Sequence, residues 1–184
     1  MHNITFNLNY FLNEKCKNAI NMSDFIDSME TSFKDLENTG KNGLVKSISQ
    51  YITRELSKLD ICDRPIHCSD IKREILYIKD DNKWVKDGGE KEILKKAVKQ
   101  IANKNIMQIN EWRKANPSCT DSESKQNDLY LKIVSNSMSG STKEEQFDNL
   151  NKIMSKVSKE VVIEKTSQKY LEAYKKLTGQ DIKK

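Results

Sequence analysis

No run of 18 or more apolar residues occurs anywhere in the 184-residue sequence, which excludes a membrane-spanning helix of ordinary length. The first residues, MHNITFNLNYFLNEKC, carry no basic leader ahead of an apolar stretch, so a secretory signal is not expected. The four cysteines (Cys16, Cys62, Cys68 and Cys119) are then expected to stay reduced in an intracellular compartment. Arginine is scarce, with Arg54, Arg64, Arg73 and Arg113 set against a large excess of lysine. Lysine meets phosphate as a point charge, whereas arginine supplies the fork that reads guanine, so base-specific DNA recognition is not expected.

The chemistry-bearing motifs are equally sparse. There is no HExxH, no DxDxDG loop, no GxSxG elbow and no phosphate-binding glycine loop; Gly88-Gly89 alone does not make one. The acidic residues are dispersed along helix surfaces rather than paired. Apolar residues make up 36% of the chain and charged residues 32%, a more polar balance than the roughly 45–50% apolar share of common globular domains. The apolar positions are periodic, which argues against disorder and for a small core with long exposed helix faces. The net charge of +5 suits an acidic partner or nucleic acid.

What is present is mostly helical spacing. Residues 3–9 alternate and read as a short extended segment, followed by a short helix over 10–20. Ser23 is placed to cap a helix carrying Phe25, Ile26, Met29, Phe33 and Leu36, with Gly40 ending it. Leu44, Val45, Ile48, Ile52, Leu56 and Leu59 form the cleanest stripe, and Pro65 stops anything that follows. Residues 90–115 read as the longest helix, bent or restarted at Asn103-Lys104-Asn105 and ended by Asn116-Pro117. Further helices are expected over 129–138, with Leu129, Tyr130, Ile133 and Val134 inward, and from a cap at Ser141-Thr142 onward, the latter carrying Phe147, Leu150, Ile153, Met154 and Val157. Val161 to Ile163 reads as a short strand or a helix end, and 165–184 as a helical tail.

One stretch breaks this pattern. In RPIHCSDIKREILYIKDDNKWVKD, starting at Arg64, two β-rich runs flank Asp and Asn and predict a hairpin, 74–79 against 83–86. Residues 64–104 hold eleven Lys or Arg against seven Asp or Glu. Lys72, Arg73, Lys79, Lys83 and Lys86 around an exposed-looking Trp84 therefore form the expected nucleic-acid surface, with lysines on backbone phosphates and Trp84 stacking or packing. Asp80 and Asp81 at the hairpin tip oppose that reading. Cys62, His67 and Cys68 are the only clustered metal-ligand types, but their spacing is poor for zinc and a fourth ligand is distant. A Cys68 nucleophile with His67 and Asp70 would need adjacent residues to face each other, which an extended strand forbids. No cofactor is expected.

Three phrases, NYFLNEKCKNAINMSDFI, DRPIHCSDIKREILYIKDDNKW and IVSNSMSGSTKEEQ, resemble the C-terminal module of a family of C2H2 zinc-finger-type proteins encoded by giant DNA viruses. The resemblance covers most of residues 5–164. It implies a viral protein of the infected host cell, in cytoplasm or nucleus, associated with nucleic acid. The finger itself does not occur in this chain. The resulting expectation is a mainly α single domain over 1–164, of six to eight helices with one small β-hairpin, and a helical tail over 165–184. Its function is expected to be non-catalytic interaction. The alternatives are a protein-docking or self-association module acting through Tyr170, Leu171, Tyr174 and Leu177 of the tail, and a Cys/His enzyme.

Overall fold

The computed structural model describes residues 7–162. The tail positions Tyr170, Leu171, Tyr174 and Leu177, and the start of the segment expected to be extended, lie outside these residues. The chain forms a mainly α domain with a small antiparallel sheet. The helices are α1 (Leu8–Tyr10), α2 (Met22–Ser28), α3 (Phe33–Asn42), α4 (Leu44–Ser57), α5 (Glu92–Met107), α6 (Ile109–Ala115), α7 (Lys125–Ser137) and α8 (Lys143–Glu160). The strands are β1 (Ile66–Asp70), β2 (Ile75–Asp80) and β3 (Lys83–Asp87), in the order β1-β2-β3.

The hairpin is present, and its turn is the one its residues favour. Asp81 and Asn82 both adopt positive φ, 45° and 60°, as a two-residue hairpin loop requires. The hairpin also has a third strand, outside the two that were expected. Ile66, His67 and Cys68 pair with Ile78, Tyr77 and Leu76. Beyond a bulge at Ser69, Asp70 Oδ1 accepts from the N–H groups of Lys72 and Arg73 and shapes the turn into β2. The other edge of β1 meets the end of the described chain, where the Cys68 N–H donates to Val161 O at 2.7 Å and Cys68 bridges Val162.

Several helix boundaries differ from expectation for visible local reasons. The helix expected over 23–40 is two helices. Ser32 and Asp35 form a reciprocal capping box, and this restart outcompetes continuation through Met29, whose backbone is extended. Gly40 is not the terminator. It lies inside α3 because a Cβ there would sit 2.7 Å from Ile133 Cγ1 and 3.1 Å from Ile133 N on α7, and its carbonyl accepts from Asn136 Nδ2. The left-handed terminator is Gly43, at φ 79°. The break in the long helix falls at Gln108, not at 103–105. Asn105 instead reaches across to Thr39 Oγ1 at 2.8 Å, and Lys104 Nζ donates to the carbonyls of Ile26, Asp27 and Met29 at the end of α2. Leu8 and Asn9, expected to be extended, are helical with Tyr10 under an Asn7 cap, and the chain continues into a wider π-helical turn, Phe11–Lys15.

Three apolar clusters result. The largest joins Met22, Phe25 and Ile26 of α2, the α4 stripe, Ile66, Cys68, Leu76 and Ile78 of the sheet, and the inward faces of α5 and α8. A second packs Leu36, Trp112, Cys119 and Ile133 among α3, α6, α7 and the 3-10 turn Pro117–Thr120. Trp112 there stacks on Tyr130 and donates Nε1–H to Glu37. The third lies on the opposite side of the sheet from the main core. Phe11, Leu12, Cys16 and Ala19 of the N-terminal segment cover Tyr77 and Trp84. Asp87 closes the sheet onto α5: it is buried and accepts from the backbone N–H groups of Ile93 and Leu94 in the first turn of that helix.

Candidate functional site

The cations expected to form one nucleic-acid surface are divided. Lys72 and Arg73 sit in the turn between β1 and β2, and Lys83 begins β3 at the opposite end of the six-residue strand β2, roughly 20 Å away. Asp70 sits beside the first pair, within 3.9 Å of Arg73 Nε, and Asp80 and Asp81 precede Lys83. Lys86 is exposed on the outer sheet face opposite Tyr77.

Lys79 requires correction as a phosphate contact. It is only 5% exposed, and its ammonium donates to Lys17 O at 2.9 Å. The N-terminal segment closes over it, so phosphate has no route to it in this conformation. Trp84 is half-buried rather than exposed. Its ring lies 5.4 Å from His67, and Lys79 Nζ stands 5.6 Å from the Trp84 centroid. The hairpin tip is held down as well, because Asn21 Oδ1 accepts from Asn82 N–H and Asn21 Nδ2 donates to Asn82 Oδ1.

The weak metal set Cys62, His67 and Cys68 is also split. Strand alternation sends Cys68 into the main core and His67 to the outer face, between Phe11 and Trp84. Cys62 lies with the outer cluster, and among the described residues no group of three His, Cys, Asp or Glu is placed to hold a metal. The same alternation separates a Cys68 nucleophile from a His67 base. Burial pushes the Cys68 thiol up and outweighs the opposing backbone hydrogen bond at Asp70, with the Glu74 charge adding to the rise. Burial, reinforced by Arg64, pulls His67 down to about 3, so the ring is neutral at physiological pH.

Three further perturbed groups, Asp35, Tyr51 and Arg54, line a polar hollow of about 300 Å³ together with Thr39, Ser47 and Asn105. Burial alone would raise the Asp35 carboxyl, but bonds from Arg54 (2.6 Å) and Ser32 outweigh it and hold it below the usual range. Burial, with Glu55 and Asp35 nearby, pushes Tyr51 up to about 12. Arg54 is pinned between Asp35 and Glu55 and lies over the Tyr51 ring at 4.8 Å. No thiol, carboxylate or histidine with a resolved shift moves toward neutrality. A general acid or base needs the opposite, a pKa drawn toward the working pH. This hollow is an ion-paired joint between α3 and α4.

A different surface has the shape of a binding site. On α5, Lys95, Val98, Lys99 and Ala102 recur at i, i+3, i+4 and i+7; on α8, Lys143, Gln146, Phe147, Leu150 and Ile153 recur at matching steps. With Leu44 and Ser139 they line a groove of about 380 Å³, near the lower end of ligand-pocket sizes. Its floor is apolar and buried: Leu44, Val98, Leu150 and Ile153. Phe147, grouped in sequence with the apolar residues of α8, is 53% exposed at the lip. Lys95 lies 5.9 Å from the Phe147 centroid and pairs with Glu92 at 3.2 Å. Lys99 and Lys143 are exposed and make no ion pair among the described residues.

Sequence reasoning did not single out this groove. The available signal was the interleaving itself: two lysines one turn apart with apolar residues between them, facing a second helix that also opens on a lysine. The resemblance drawn from the three sequence phrases stands on the sequence alone, since no protein-family model, curated protein or solved structure matches this chain.

Proposed function

We propose that the protein is a non-catalytic docking module whose α5–α8 groove receives an apolar side chain from an acidic amphipathic segment of a partner protein. The single observation that carries this reading is the groove's composition: an apolar floor and an exposed Phe147, rimmed by Lys99 and Lys143, which have no ion-pair partner among the described residues. An exposed aromatic beside a hollow is the usual anchor of a helix-in-groove interface, and free lysines on the rim select carboxylates. The absence of any thiol, carboxylate or histidine drawn toward neutrality among the resolved shifts supports a binding role over a catalytic one.

The test is fluorescence anisotropy of a labelled helical peptide with leucines on one face and glutamates on its flanks, beside a labelled DNA duplex. The expected result is peptide binding that Phe147→Ala weakens at least about tenfold and that Lys99→Glu with Lys143→Glu abolishes. Peptide affinity indifferent to both changes would end this reading. Duplex binding whose salt slope falls when Lys72, Arg73, Lys83 and Lys86 are neutralised would instead support a phosphate-contacting module.

A further inference from the structure

We propose that Cys16 and Cys62 form a reversible disulfide site that clamps the N-terminal segment onto the outer face of the sheet. The two residues are far apart in sequence, but the fold packs Cys62 against the apolar cluster that buries Cys16. Cys16 ends the π-helical turn Phe11–Lys15 and is fully buried; Cys62 lies in the 3-10 turn Ile61–Asp63 and is half-exposed. Both belong to one apolar cluster, and the segments carrying them are already joined by the Ile20 N–H donating to Asp63 O at 3.1 Å. Both thiols are free in this structure.

What the segment covers explains why a clamp would matter. Beneath it lie two buried polar nitrogens with no hydrogen-bond partner among the described residues, His67 Nε2 and Trp84 Nε1, and the nearly enclosed ammonium of Lys79. Unpaired polar atoms raise the cost of the closed arrangement, because water satisfies them when the segment lifts. Closure over this face is therefore the weak joint of the fold, and a covalent bond across it has the most to change.

The chemistry balances with a small-molecule disulfide as oxidant. Cys62, the member that solvent reaches, gives up its proton, and its thiolate sulfur attacks one sulfur of the reagent. The reagent's S–S bond breaks, one thiolate leaves and takes up that proton, and Cys62 holds a mixed disulfide. Cys16 Sγ then attacks Cys62 Sγ, loses its proton and expels the second thiolate, which is protonated in turn. Two protein thiols are oxidised by two electrons, and one disulfide becomes two thiols. Burial, reinforced by the neighbouring Cys62, holds the Cys16 thiol protonated, so the second step speeds up as pH rises.

The test treats the full chain with oxidised glutathione and maps its peptides without reduction. The expected product links the peptides of Cys16 and Cys62, lighter by two hydrogens, and a dithiol reverses it. Amide exchange of residues 8–19 then slows at least about thirtyfold, the scale of an ordinary disulfide's stabilisation. Cys16→Ser leaves glutathione on Cys62, and Cys62→Ser leaves Cys16 unmodified. Glutathione remaining on Cys62 in the unaltered chain at every pH would overturn the proposal, as would linkage to Cys68 or Cys119, or exchange rates unmoved by the link.

Discussion

The two faces of the small sheet come from the same three strands yet are built by opposite rules. The inner face presents Ile66, Cys68, Leu76 and Ile78, and packs into the main core with α2, α4, α5 and α8. The outer face presents His67, Tyr77, Lys79, Trp84 and Lys86, and most of it is closed by the N-terminal segment. On the inner side burial is apolar against apolar, with one carboxylate, Asp87, fully used on helix N–H groups. On the outer side burial encloses an imidazole, an indole N–H and an ammonium; among the described residues the ammonium has a hydrogen-bond partner, while His67 Nε2 and Trp84 Nε1 have none. A face can thus be covered without being matched. The unmatched face is where stability should depend on pH and charge.

The largest effect is expected on the matched side. Ile78 is fully buried at the centre of the sheet, and Ile78→Ala removes methyl groups that fixed neighbours cannot replace. A loss of about 2–5 kcal/mol in denaturant unfolding is expected. A loss under about 1 kcal/mol would mean that the inner face repacks freely and that the contrast between the faces is illusory.

On the unmatched side the next effect is one of pH. His67 is 1% exposed and neutral when folded, with its pKa pulled from 6.5 to about 3 by burial and by Arg64. The unfolded chain therefore binds a proton below about pH 6.5 that the folded chain refuses. Stability is full above that pH and falls as pH drops, by about 1.4 kcal/mol per unit, or roughly 2 kcal/mol between pH 6.5 and 5. Asp35 and Glu74 have depressed carboxyl pKa values and push the same way, but only nearer their own ordinary values of 3.8 and 4.5. The upper part of the window belongs to His67. Urea midpoints across that range should slope for the unaltered chain and lie flat for His67→Phe. Parallel slopes would show that the ring is reached by water after all.

This contrast also marks what was legible in the sequence. The mainly helical class, the α4 stripe and the β2–β3 hairpin are legible because hydrophobic period and turn chemistry are local properties. The strand β1 was not, because only three residues, Ile66 to Cys68, alternate before the polar Ser69 and Asp70; it becomes a strand by pairing with β2. The restart at Ser32 was written in its spacing to Asp35 but was overridden by a longer apolar period. Gly40 misled because glycine's absent side chain serves two purposes, and here it makes room for Ile133 rather than for a left-handed turn. Lys79 and Trp84 were read as surface because sequence shows which residues share a strand face but not what lies over it. The α5–α8 groove was hidden for the converse reason: period alone assigns Phe147 to the core, and only the distance between two helices leaves it outside.

The smallest effect is the most diagnostic of the outer face. Lys79 holds a charge at 5% exposure with one backbone carbonyl as hydrogen-bond partner and no carboxylate within ion-pair range among the described residues. Lys79→Met keeps the length of the chain and removes the charge. The carbonyl left behind belongs to Lys17, an exposed residue that water can serve. Desolvating an ammonium costs more than one such bond returns, so Lys79→Met is expected to stabilise the protein by about 1 kcal/mol in urea unfolding. A destabilisation of similar size would mean that the Lys17 bond and the Trp84 ring hold the ammonium better than water does. The covering segment would then be a matched lid, and the two faces of the sheet would differ in composition but not in kind.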